Sequence, residues 1–274
     1  MFGFSAYRRS HFAPAFLFLK AKNRAALQIL YEVCRIVDDV ADKKNDNPKV
    51  ELAAWALFFR EHDPRALEPF GHQLLAREFR ETADVFKIPW DMMTELVEKG
   101  VGVDLERNRY QTPMDTESYC YGVAGTVGVA CLPIFGVPVE EGRAYAVRLG
   151  IAVQWVNLIR DVGVDAEMNR IYLPLDHLEK FQVSEEDIIT RKKNSAFDNL
   201  MRFEAGVARS HFKRAVDVYP VRWDRELRPA RIMGTIYMGL LLKIEKAQFP
   251  VFDKKVRLNL LEKVLATIKG MKNY

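Results

Sequence analysis

The chain has little that would staple or anchor it from outside its own core. Its three cysteines, Cys34, Cys120 and Cys131, are an odd number with no metal-ligand spacing, so they read as buried, reduced thiols of a cytoplasmic protein. No apolar run approaches the roughly 20 residues of a membrane-spanning helix. The longest, VGVACLPIFGVPV from Val127, is expected to break at Pro133 and Pro138. Arg8 and Arg9 precede the patch AFLFL, but a full apolar region and a small-residue cleavage site are missing, so the N-terminus reads as mature protein. There is no fixed repeat, no low-complexity linker and no dinucleotide-binding glycine fingerprint. None of the five histidines (His11, His62, His72, His177, His211) sits in a Glu-x-x-His motif, which argues against a di-iron centre. The formal charge of +4 is mild: it suits an anionic ligand or an anionic membrane surface and selects neither.

What is present is helical periodicity almost everywhere. At 274 residues, with 49% hydrophobic against 28% charged, the chain can bury a substantial core and is not generally disordered. The spacing predicts helices over roughly 21–42, 50–60, 72–85, 90–106, 115–135, 140–165, 196–219, 224–248 and 254–271. Turn chemistry separates them at KKNDNP, EHDP and KIP. A short helix can open at Ser184, where Ser-Glu-Glu-Asp offers a cap followed by acids. The expected class is all-α, one domain over residues 1–274.

Two of these helices carry aspartates where burial is expected. In YEVCRIVDDVAD, Tyr31, Arg35, Asp38 and Asp42 are spaced four, three and four, so they share a face, while Asp39 points elsewhere. In IAVQWVNLIRDVGVD, Gln154, Asn157, Asp161 and Asp165 repeat the design, and the rest of that helix is largely apolar. One such stripe alone reads as a solvated face. Two, each built from short carboxylates in an apolar helix, point to an internal polar site. Oxygen ligands held close to the backbone suit Mg²⁺, whose remaining ligands are typically water and phosphate oxygens. Four aspartates around two or three ions would hold a diphosphate, with Arg35 and Arg160 adding positive charge.

Four stretches resemble the squalene and phytoene synthase type of trans-isoprenyl diphosphate synthase. YEVCRIVDDVAD is similar to the family's first aspartate-rich motif, and NLIRDVGVDAEMNRIYLP to its second. YCYGVAGTVG is similar to the segment bearing an active-site tyrosine, and DLERNRYQT to the stretch before it. The match runs from about Phe12 to Pro174. It implies an isoprenoid-synthase helical bundle with a central apolar cavity, and head-to-head condensation of two identical prenyl diphosphates. On this resemblance Asp38, Asp42, Asp161 and Asp165 are the metal-binding aspartates, with Asn157 available beside them and Arg35 on the matching face. Tyr119 matches the tyrosine near the proton to be removed or the departing diphosphate. Arg170 and Tyr172 match diphosphate contacts, Tyr31, Gln154 and Arg160 complete the substrate-facing set, and Phe12 falls at an aromatic near the cavity. Gly122, Gly125 and Gly128 let a helix bend or pack closely rather than forming a phosphate loop. The second motif departs from the common D-V-G-E-D: Val164 stands where an acid is usual, and Glu167-Met168 where basic character is usual.

The resemblance leads to a Mg²⁺-dependent coupling of two farnesyl diphosphates to presqualene diphosphate, with onward conversion to squalene or dehydrosqualene open. Phytoene synthesis from two geranylgeranyl diphosphates is the alternative, and a catalytically inactive scaffold derived from the family is the reading of another class. NADPH is expected not to be used, and no nucleic-acid partner is expected. A lipid product and a mildly basic chain suggest transient, peripheral membrane contact, although the sequence shows no clear amphipathic anchor. Oligomeric state is not legible.

Overall fold

Capping chemistry places the helix starts. The computed structural model describes residues 19–42 and 47–271, without the side chain of Asp42, and every regular element among them is helical. Phe12 lies outside the described residues. The helices are α1 (Ala21–Asp42), α2 (Pro48–Glu61), α3 (Gln73–Phe86), α4 (Trp90–Glu95), α5 (Pro113–Cys120), α6 (Thr126–Phe135), α7 (Val139–Glu167), α8 (Leu175–Lys180), α9 (Glu185–Ile189), α10 (Ser195–Asp217), α11 (Arg228–Lys246) and α12 (Leu260–Met271). Reciprocal capping boxes of Thr112 with Asp115 and of Ser184 with Asp187 start α5 and α9. The second of these is the helix expected at Ser184.

Several boundaries differ from the periodicity reading. The stretch after EHDP is a 3₁₀ helix, Pro64–Phe70, begun by Asp63 accepting from the backbone N–H of Arg65. The segment expected to be helical from 254 is extended up to Asn259, whose side chain accepts from the backbone N–H of Glu262 at 2.9 Å while Glu262 accepts from the N–H of Asn259 at 2.7 Å. This box fixes the helix start at Leu260. The helix expected over 115–135 does run through Pro133 and ends at Phe135. Pro113–Phe135 forms one helical run of 23 residues, long and apolar enough by length and composition to cross a membrane, with half of its most apolar 18 residues buried inside the protein.

Two short π-helical turns, Leu96–Gly100 and Tyr121–Gly125, interrupt the helices expected over 90–106 and 115–135. They cross at their glycines: a Cβ on Gly122 would strike the backbone carbonyl of Lys99, and one on Gly100 would lie 2.8 Å from Gly122. Close approach therefore requires glycine here, as expected for the bending role.

One buried cluster runs from Ala26 to Leu258. Trp55, Phe58, Phe59, Phe79 and Trp90 form an aromatic knot with ring centroids 5.2–6.2 Å apart. α10 packs along α7 and buries Glu204 completely. Its carboxylate accepts from Trp155 Nε1 of α7 at 3.0 Å and pairs with His177 Nδ1 of α8 at 2.6 Å. With both oxygens engaged, the buried acid ties three helices together.

Candidate active site

The two aspartate stripes line one cavity of about 1210 Å³, above the roughly 300–1,000 Å³ of common small-molecule pockets. Tyr31, Arg35 and Asp38 reach it from α1, and Gln154, Asn157, Arg160, Asp161 and Asp165 from α7. Tyr119, Arg170 and Tyr172 line it as well. The sequence therefore brings together every predicted site residue whose side chain is described. Below the polar groups the walls are apolar, with Leu27, Val123, Val127, Leu149, Val153 and Met233 among them. Cys34 and Cys131, expected in the core, are half-buried and face this cavity. Burial pushes the Cys131 thiol up to about 12.

The second-motif loop closes the site. Arg170 Nη2 donates to the carbonyl of Ala41 at 3.1 Å, joining the end of α1 to the chain beyond α7. A parallel bridge between Arg109 and Ile171 lays the DLERNRYQT stretch beside the Arg-Ile-Tyr-Leu-Pro stretch. The Ile171 N–H donates to Asn108 and the Leu175 N–H to Tyr110. Thr116 Oγ1 donates to the Tyr172 carbonyl at 2.9 Å.

That pairing creates a centre with an unforeseen member, Asp104. Its carboxylate accepts from Tyr119 at 2.9 Å and from Tyr172 at 2.8 Å, while the two rings stack 4.7 Å apart. Burial first, and then the Asp104 charge, raise the ionisation of both phenols well above the ordinary tyrosine range. Tyr119 is therefore a neutral O–H donor at rest. Asp104 stands inside a stretch that carried the family resemblance, but its isolation from the stripes left no spacing signal.

The electrostatics of the two stripes differ. Arg35 donates to Glu32 at 2.7 Å and to Asp39 at 3.2 Å, so its charge is already shared with carboxylates of its own helix. Arg160 is buried and grips Asp161 through Nε at 2.8 Å and Nη2 at 2.5 Å. Lys255 reaches the same carboxylate at 3.0 Å. Lys255, Arg257, Lys263 and Tyr237 also line the cavity; reading 254–271 as a continuous helix hid the first two.

The side chains at this end of the cavity offer Mg²⁺ an oxygen donor set. Asp38, Asn157, Asp161 and Asp165 line the same space. Asn157 Oδ1 is buried with no hydrogen-bond partner, while its Nδ2 donates to Gln154 at 3.0 Å. Asp165 is pushed up to about 8, chiefly by burial and then by the Asp161 charge. An all-oxygen set of this kind suits a hard cation. Among the described residues, no three acidic, histidine or cysteine side chains already converge as a metal cluster.

Comparison with known proteins decides the family. The squalene/phytoene synthase family model matches residues 6–262. The chain belongs to the squalene/phytoene synthase family. Squalene/phytoene synthase relatives include a 15-cis-phytoene synthase of Synechocystis sp., 30% identical and covering 94% of this chain and 79% of the relative. A 4,4'-diapophytoene synthase of Staphylococcus haemolyticus is 30% identical and covers 89% and 85%. In fold, a dehydrosqualene synthase crystal structure superposes with a TM-score of 0.84 at 24% identity, covering 97% of this chain and 93% of that one. A squalene synthase of Alicyclobacillus acidocaldarius gives 0.76 at 23%, covering 89% and 91%. The squalene/phytoene synthase family condenses prenyl substrates head to head, and the all-α expectation holds.

Proposed function

We propose that the chain joins two farnesyl diphosphates head to head to give presqualene diphosphate, releasing one diphosphate and one proton. The observation that carries this reading is a large apolar cavity roofed by two carboxylate stripes and basic side chains. Asp38, Asp161, Asp165 and Asn157, together with Asp42, would hold Mg²⁺, which when bound stabilises the negative charge on a leaving diphosphate. Arg170, Lys255 and Arg257 add positive charge at the same end of the cavity. The apolar walls exclude water from the allylic cation until the double bond of the second substrate attacks it. Tyr119 can take the proton lost in coupling as its own proton passes to Asp104, so a neutral phenol acts through a half-buried carboxylate. No hydride is consumed, and no NADPH site is assigned.

The fifteen-carbon substrate is supported by the diapophytoene synthase relative and by the CLPIFG continuation after VAGTVG. The phytoene synthase relative favours a second reading with twenty-carbon substrates, which a cavity of this size admits. Purified protein incubated with Mg²⁺ and each diphosphate in turn, without NADPH, separates them by mass analysis of extracted lipids. Thirty-carbon cyclopropyl diphosphate or dehydrosqualene is expected. Forty-carbon product alone would move the assignment to phytoene synthesis. Folded protein giving neither product would overturn the enzyme reading in favour of a scaffold.

A further inference from the structure

α12 is built the wrong way round for a helix that belongs only to the bundle. Leu260, Leu261, Val264, Leu265, Ile268 and Met271 are exposed by 78, 67, 45, 58, 48 and 41%. At about 100° per residue they fill a continuous arc of about 140° that contains no charged residue. The opposite arc carries Glu262, Lys263, Ala266, Thr267 and Gly270, and this polar, small face packs inward. Glu262 pairs with Lys243 of α11 at 2.6 Å. The carbonyl of Ala266 accepts from Thr235 at 2.9 Å, and that of Gly270 from Arg231 at 2.9 Å. An amphipathic helix normally buries its apolar arc, and a contiguous exposed stripe of this kind marks an interaction surface.

We infer that α12 is an interfacial helix that seats the protein on an anionic lipid bilayer. Charge selects this occupant: from Lys254 to Tyr274 the sequence holds Lys254, Lys255, Arg257, Lys263, Lys269 and Lys272 against the single acid Glu262. Lys254, Arg257 and Lys269 are exposed, and Glu262 is neutralised by Lys243. Basic residues flanking an apolar stripe are complementary to anionic headgroups. Size argues against a second copy, because twelve residues make a helix about 18 Å long and about 10 Å across. That is a small fraction of the roughly 800 Å² per partner of a stable protein interface. The stripe also adjoins the cavity: Arg257 and Leu258, just before α12, and Lys263 within it line that space. Docking would set the cavity beside the membrane that supplies and receives prenyl chains. Only this purpose rests on the proposed function; the geometry does not.

The test is flotation of the full chain with vesicles of phosphatidylcholine alone and of phosphatidylcholine mixed with phosphatidylglycerol. Binding to the mixed vesicles is expected, falling severalfold as salt rises through the physiological range. Leu261→Asp with Leu265→Asp should lower it at least tenfold while leaving helical content and turnover of detergent-dispersed substrate unchanged. Lys254→Glu with Lys269→Glu, a change confined to exposed charge, should lower it severalfold. Absence of vesicle binding, or equal binding by wild type and both variants, would overturn the inference. So would a dimer in sedimentation equilibrium that the leucine variant dissociates, which would give the stripe to a second copy. Val264→Cys carrying an environment-sensitive dye supplies an independent readout. Its emission should shift to the blue only when mixed vesicles are added; blue emission from the lipid-free monomer would mean that the chain covers the stripe itself. Flotation reads binding and not turnover, so inactivity toward prenyl diphosphates would leave this result standing.

Discussion

The stripes on α1 and α7 have nearly the same spacing and line the same cavity, yet they meet it in different electrical states. On α1, Asp38 is exposed and Arg35 is held by Glu32 and Asp39. On α7, Asp161 is held by a buried arginine and by a lysine from another segment, and Asp165 lies half-buried one turn on with its ionisation raised. Helical spacing decides which residues share a face. What packs behind that face decides how much each charge costs and how strongly it is felt.

If the α7 stripe is the electrostatic centre, Asp161→Asn should lower kcat/KM by about 10³-fold and Asp38→Asn by about 10²-fold, measured as initial rates of prenyl coupling at saturating Mg²⁺. Equal losses would erase the distinction. Asp104→Asn leaves both stripes intact and weakens the acceptor shared by Tyr119 and Tyr172. A fall of about 10² in kcat with KM nearly unchanged is expected. Added to Tyr119→Phe it should cost far less than the sum of the single changes, which a double-mutant cycle measures.

Smaller effects test the support behind α7. A Cβ at Gly150 would lie 2.5 Å from the carbonyl of Ala124, so Gly150→Ala should cost roughly 2–3 kcal/mol in urea unfolding. α1 has no glycine to give a counterpart. On the far side of α7, the His211 ring lies tilted against Trp155, centroids 4.7 Å apart, with Nδ1 unpartnered. Its pKa is lowered to about 4, first by burial, with Arg148 and Arg214 also opposing protonation and Glu117 favouring it. Neutral histidine is thus favoured by folding, and this contribution is complete above the ordinary histidine range. The unfolded chain gains the proton first as pH falls, so stability should drop by roughly 1–2 kcal/mol between pH 7 and pH 5. His211→Phe should flatten that slope in unfolding curves at the two pH values.

Much of this site was legible because helices convert sequence spacing into faces. Asp38, Asp161 and Asp165 reach one cavity as the three-and-four spacing requires, and Tyr119 and Tyr172 join it where their motifs place them. Asp104 escaped because it acts through tyrosines 15 and 68 residues away, a distance over which periodicity carries no information. Lys255 escaped because Asn259 caps a helix that starts at Leu260, not at 254 as the apolar pattern implies. The inverted face of α12 escaped for a different reason: the pattern shows that an apolar arc exists, but not which side of it the bundle takes.

The buried carboxylate of Glu204 has a consequence for how such a chain can diverge. It accepts from an indole 49 residues away and pairs with an imidazole 27 residues away. Replacing it alone with leucine would strand two polar groups without water, whereas exchanging all three for apolar side chains would strand none. Positions 155, 177 and 204 are therefore expected to change as a set along a lineage, through intermediates less stable than either end. Their joint variation would record α7, α8 and α10 being passed on as one inherited unit.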